Sequence, residues 1–247
     1  MAAQYIAPRR DPLYHAAMPN EPAPAARTLL SWSGGKDSAL ALRALRADPA
    51  VRVEALLTTV TDAYDRVSMH GVRRVLLEQQ AAALGLALEV VRIPPACTNA
   101  QYEAVFGGAL AAWAGRGGDA VAFGDLFLAD VRAYRERLVA EHAPGVAARF
   151  PLWGADTTKT ARRFVADGFR AVLVCVDPRQ IDAAFCGREY DAALLAELPP
   201  GADPCGENGE FHTFVYDMKP LGGGGVPVVR GDVVERDGFV FCDLLPA

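Results

Sequence analysis

Residues 31–38 read Ser-Trp-Ser-Gly-Gly-Lys-Asp-Ser, with the apolar run Thr28, Leu29 and Leu30 before them and an amphipathic helical pattern over 39–45 after them. A strand that runs into a glycine turn and then a helix start makes an anion site, because unbonded N–H groups and the positive end of the helix dipole converge there. The chemistry expected is phosphate binding. Gly34 and Gly35 would let the backbone approach a phosphate closely, Ser33 and Ser38 would supply hydroxyl donors, and Lys36 a point charge. Asp37, at the helix start, is placed to help hold a magnesium ion. Two other phosphate loops are excluded. A Walker loop would need glycine at position 30 and serine or threonine at 37, where this chain has Leu30 and Asp37. A dinucleotide fingerprint would need a third glycine in the turn.

A second cluster lies far along the chain. Asp203, Cys205, Glu207, Glu210, His212 and Thr213 fall within one stretch that also holds Gly206 and Gly209. Two glutamates, a histidine and a thiol suit acid–base work or the handling of an amine. Lys36, Glu207, Glu210 and His212 are therefore the candidate catalytic residues. Cys205 ranks below the glutamates, because nothing in its surroundings in sequence signals a lowered thiol pKa. His70, just after the second expected strand, is a further candidate.

These residues need a scaffold. Apolar runs alternate with helical patterns from Thr28 onward, which predicts an α/β fold with a parallel, doubly wound sheet. Strands are expected at 51–60, 86–93, 120–123, 150–153 and 171–176. Helices are expected at 71–84, 98–114, 129–141 and 157–167, the first with Val72, Val75, Leu76, Gln79 and Ala83 along one face. The pattern changes after Asp177. Short helical pieces over 178–197 lead into a Pro/Gly-rich loop at 199–209, then β segments at 211–216, 226–230, 232–236 and 238–242. This divides the chain into a proline- and alanine-rich leader at 1–27, a nucleotide-binding lobe at 28–177 and a smaller α+β lobe at 178–247. Met18 is an alternative start.

At 247 residues with a net charge of −5 the chain is long enough for a sizeable core and carries no overall basic field, which argues against a nucleic-acid partner. Its five cysteines form no CxxC pair, so neither a zinc site nor a disulfide framework is expected and the compartment is read as cytoplasmic. No apolar run suggests a membrane span. Lysine occurs only at Lys36, Lys159 and Lys219 in an arginine- and alanine-rich chain, which points to a GC-rich, bacterial genome.

The SGGKDS turn resembles the PP-loop of the ATP pyrophosphatase superfamily, and the segment at 206–217, GENGEFHTFVYD, is similar to the GEGGEYET motif of the diphthine–ammonia ligase (diphthamide synthase) family within it. Gly124-Asp125 with Arg132, Arg135 and Glu136 resembles that family's segment after the fourth strand, Pro151-Leu152-Trp153 its PLW element, and Gly187-Arg188 with Asp191 its GR-x-x-D piece. The resemblance covers about 28–217. It implies an adenine nucleotide alpha hydrolase-like fold and an ATP-dependent ligase with Mg2+. Such an enzyme activates an acyl oxygen as an adenylate, releases pyrophosphate and lets ammonia displace AMP. It also implies that Leu57 and Thr58 lie under the adenine, and that Gly124 and Asp125 lie beside the nucleotide. Arg132 and Arg135 would clamp pyrophosphate, and Glu207, Glu210, Cys205 and Thr213 would face the acyl substrate or ammonia. Free ammonia is the expected donor, and the sequence leaves the assembly open, a homodimer included. Asn208, Phe211 and His212 replace the family's Gly, Tyr and Glu where a substrate would be read, so an acyl substrate other than diphthine is expected. The rival readings are a non-catalytic adenine-nucleotide binder, which would not need the second cluster, and an RNA-modifying PP-loop enzyme, which would need a basic surface or paired cysteines.

Overall fold

The computed structural model describes residues 24–247. Met18 and most of the expected leader lie outside that span. The first strand begins two residues earlier than the apolar run suggests, because Ala26 already pairs with Val51.

In chain order the elements are β1 (Ala26–Ser31), α1 (Lys36–Arg46), β2 (Val51–Thr61), β3 (Arg66–Val67), α2 (Arg74–Leu84), β4 (Ala87–Ile93), α3 (Asn99–Gly115) and β5 (Ala120–Ala122). They continue with α4 (Ala129–His142), β6 (Ala147–Arg149), α5 (Thr157–Ala166), β7 (Arg170–Val176), α6 (Ala192–Glu197), β8 (Phe211–Asp217), β9 (Val228–Arg236) and β10 (Phe239–Pro246). In the first sheet β4, β2, β1, β5 and β6 are parallel neighbours, and the short β3 pairs antiparallel with the end of β2. The chain order reverses between β1 and β5, and their C-terminal ends form the crevice where ligands of such sheets sit. The second sheet is antiparallel, in the order β8-β7-β10-β9. The fold is thus mixed α/β, with a mostly parallel sheet and a small antiparallel one, of the PP-loop type.

Four expectations change. β7 forms where the apolar run places it, but it pairs with β8 and β10 instead of extending the parallel sheet. A run of Val, Leu and Cys buried on both faces carries no label for which sheet it joins. Residues 150–153 form a turn, and the strand lies just before them at β6, since Pro151 cannot donate to a ladder and Trp153 N–H closes back on Phe150 O at 3.1 Å. The buried stripe of α2 is Leu76, Leu77, Gln80, Ala81 and Leu84, rotated from the expected one so that Val75 is exposed. Alanines around the helix blur its apolar face. The segments at 226–230 and 232–236 are one strand, β9, with an extra residue against β10 between Arg230 and Val233.

Caps fix the helices that flank the site. Thr98 and Gln101 make a reciprocal capping box at α3, and Asp156 caps α5 through Lys159 N–H. Asp191 caps α6 through Leu194 N–H and Arg188 pairs with Glu197, so the GR-x-x-D piece is a structural element here. One apolar core joins both sheets: Leu30 of β1 and Leu42 of α1 share it with Leu173, Phe214 and Val215 of the second sheet.

Candidate active site

The turn after β1 is held from two sides. Gly34 adopts φ +79°, where a side chain is strained, and a Cβ there would come within 2.8 Å of Gln80 Oε1. Gly35 lies so close to β8 that its Cβ would approach Thr213 O to 3.0 Å. Gln80, fully buried on α2, accepts from Trp32 Nε1 at 2.8 Å and donates to Gly34 O at 3.0 Å and to Val215 O at 2.6 Å. Val215 N–H donates to Gly34 O at 2.9 Å. Nothing in the sequence singles out Gln80 except a polar residue amid apolar ones on a helix.

Two amides of the turn are already bonded, Gly35 N–H to Ser33 Oγ and Lys36 N–H to Thr213 Oγ1. Thr213 therefore shapes the loop, where it was expected to face the acyl substrate. The Asp37 and Ser38 amides lie in the first turn of α1, whose donors lack helix partners. Lys36 is buried, with Nζ at 2.7 and 2.8 Å from the two Asp37 oxygens. Burial is the largest single influence and works against its charge, but the nearby Asp37, Cys205 and Glu207 together outweigh it and its pKa is raised.

Across from the turn, Gly124 brings the end of β5 against α1, since a Cβ would stand 3.1 Å from the Asp37 carbonyl. Asp125 follows, with Oδ2 buried and without a hydrogen-bond partner, and burial raises its pKa. Magnesium usually takes one or two carboxylates and completes its shell with phosphate oxygens and water. Asp37 and Asp125 fit that use, while among the described residues no group of three or more acidic, His or Cys side chains makes a fuller cage.

Two adjoining cavities meet here. One, of about 620 Å³, is lined by Ser33, Lys36, Asp37, Asp125, Glu207 and His212. The other, of about 720 Å³, is lined by Leu57, Thr58, Ser68, Tyr102 and Phe106. Both share Ser33, Met69, His70 and Arg135. Thr58 Oγ1 is buried and unpartnered in the second, where the nucleobase is expected. The expected arginine pair separates. Arg135 lines both cavities, its Nε 4.0 Å from Asp125 Oδ2. Arg132 lines neither cavity: its guanidinium lies over Phe150 and Trp153 and bonds Glu136, so it packs the PLW turn.

The 203–213 loop also divides. Glu207 projects into the cavity and accepts from Leu126 N–H at 3.2 Å; burial first, then Asp37, pushes its pKa up to about 7. Glu210 is buried and braces its own loop, accepting from Asp203 N–H at 2.7 Å, Asn208 N–H at 3.0 Å and Asn208 Nδ2 at 3.1 Å. Those bonds leave it no role facing a ligand. Glu210→Ala would strand three donors and cost about 2–3 kcal/mol, a fall in Tm of roughly 4–12 °C for a chain of this size; calorimetric melting checks it. Burial pushes the Cys205 thiol up to about 12, and Sγ lies 3.3 Å from Thr157 O, so it is a packed thiol and no nucleophile.

Glu207 carries a pH signature. Its raised pKa means the folded state holds a proton that the unfolded state has released, so its contribution to stability is full below about pH 4.5 and is lost as pH rises through about 7. Glu207→Gln should therefore match the parent protein near pH 4 and exceed it by about 1–2 kcal/mol at pH 8, a partly exposed site giving less than the full shift. Denaturant unfolding at the two pH values would show it.

Sequence reading missed one further group. Asp177, at the end of β7, accepts from Arg179 N–H, Nε and Nη2 and from Gln180 Nε2, which holds its carboxyl well below the usual range. It lines the same cavity as Lys36.

A parallel sheet with a glycine-turn anion site at its switch point, closed by an acidic loop from a second sheet, defines a protein of the PP-loop class. Comparison with family models narrows this: the diphthamide synthase N-terminal domain matches residues 26–143 and the diphthamide synthase C-terminal domain residues 156–222. The chain belongs to the diphthamide synthase family, a family of ligases. A search of curated proteins finds no match. No helix among the described residues is long and apolar enough to cross a membrane.

Proposed function

We propose that the chain is an ATP-dependent ligase that adenylates an acyl oxygen, releases pyrophosphate and forms an amide with ammonia. The observation that carries this reading is the meeting of the Ser33–Ser38 turn with Glu207 in one cavity that opens onto a second, nucleoside-sized one. ATP would lay its base against Leu57 and Thr58 and its phosphates on the turn. Lys36 supplies charge to the phosphates and Arg135 to the departing pyrophosphate. Magnesium held by Asp37 and Asp125 would neutralise phosphate charge when bound. The acyl oxygen attacks the α-phosphorus, the bond to the bridging oxygen breaks, and pyrophosphate leaves with that electron pair. Glu207, near its midpoint at neutral pH, is suited to hold or release a proton beside the acyl group. The acyl substrate is proposed to be a small molecule or a protein carboxyl.

The test is product identity. The purified protein is incubated with ATP, Mg2+ and ammonium, once with a deproteinised cell extract and once with the desalted protein fraction of that extract, each against a control without the purified protein. AMP with pyrophosphate is expected; ADP with phosphate, or no nucleotide product, defeats the reading.

A further inference from the structure

We propose that the paired imidazoles of His70 and His212 form the nitrogen end of this site, taking a proton from ammonia as it attacks the activated acyl carbon; the inference rests on the ligase reading above. His70 comes from the loop after β3, His212 from β8 in the other sheet, and the rings meet with centroids 4.2 Å apart and planes tilted by 30°. Both face the cavity that holds Lys36 and Glu207, and His70 also faces the nucleoside cavity, so the pair stands at the seam where an acyl adenylate would present its carbon. His70 Nδ1 is buried with no hydrogen-bond partner. A purely structural histidine normally bonds its ring nitrogens, and a metal-binding pair would need a third ligand, of which none is grouped with them among the described residues.

The charges around the pair keep it unprotonated. Lys36 is the cation that acts on both rings, Asp37 is spent on Lys36, and Asp177 is spent on Arg179. Burial, then Lys36, lowers His212 to about 4; burial, His212 and Lys36 lower His70 well below its usual range. Each ring therefore offers a lone pair at neutral pH. In the proposed step the ammonia lone pair forms the C–N bond and the nitrogen, now acidic, passes a proton to an imidazole. The C–O bond to the adenylate then breaks and AMP leaves with its electron pair. The imidazolium returns the proton to water in the cavity.

Hydroxylamine tests this, because it captures acyl adenylates without help from a base and its product gives a coloured iron(III) complex whatever the acyl group. His70→Gln, His212→Gln and the double variant are compared with the parent protein in ATP, Mg2+ and both the deproteinised extract and its desalted protein fraction, with ammonium or with hydroxylamine, after melting and nucleotide-binding measurements confirm that each is folded. The expected result is a loss of about 100-fold in ammonium-dependent AMP release with hydroxamate formation unchanged within about threefold. Variants that keep ammonium-dependent turnover, or lose both reactions equally, overturn the proton role and leave the ligase reading standing. A parent protein that makes no hydroxamate overturns the ligase reading and this inference with it.

Discussion

Lys36→Ala is expected to lower AMP formation about a thousandfold, the scale on which removal of a charge-stabilising donor acts, while leaving the melting temperature within a few degrees. The effect is large because the side chain is buried, so its ammonium acts through a low dielectric and is already aimed when ATP arrives. The fold survives because Asp37, its partner, reaches water and keeps its hydration when the lysine is gone. Lys36→Arg should not rescue, since a planar fork needs more room than Nζ has between Asp37 and the Phe211 ring, whose centroid is 5.9 Å away. AMP release under saturating ATP, with nucleotide affinity measured by calorimetry, checks both variants. A rate within tenfold of the parent protein would remove Lys36 from the chemistry.

Gln80→Ala is expected to destabilise the protein by about 3 kcal/mol and to weaken nucleotide binding at a distance from any ligand atom. Truncation leaves Trp32 Nε1 buried without an acceptor and Val215 O without this donor, each worth about 1–3 kcal/mol; Gly34 O keeps only the Val215 amide. Gln80→Glu should do no better, because its carboxylate would satisfy Trp32 and repel the two carbonyls. Denaturant unfolding measures the loss, and a change below about 1 kcal/mol would show that the turn holds its shape unaided.

The glycine turn after β1 could be read directly because its residue types leave few conformations: two adjacent glycines between an apolar run and a helical pattern mark a tight strand-to-helix turn. The acidic loop was also visible, but not the division of labour inside it. Glu207 and Glu210 look equivalent in sequence, and only the folded loop shows that one carboxylate spends itself on the Asp203 and Asn208 amides while the other meets the cavity. Arg132 and Arg135 part for the same reason, as a shift along α4 turns one toward Trp153 and the other toward Asp125. The meeting of His70 with His212, and the bonds of Gln80, depend on two sheets coming together, and no local periodicity records that.

The Gly34 carbonyl bonds a residue of β8, and the Lys36 amide bonds another. Recombination between relatives is therefore constrained: a hybrid that takes its first half from one parent and its last strands from another inherits a turn cut for a different neighbour. A crossover that moved Trp32 and Gln80 together with β8 would carry the matching surfaces as one inherited block.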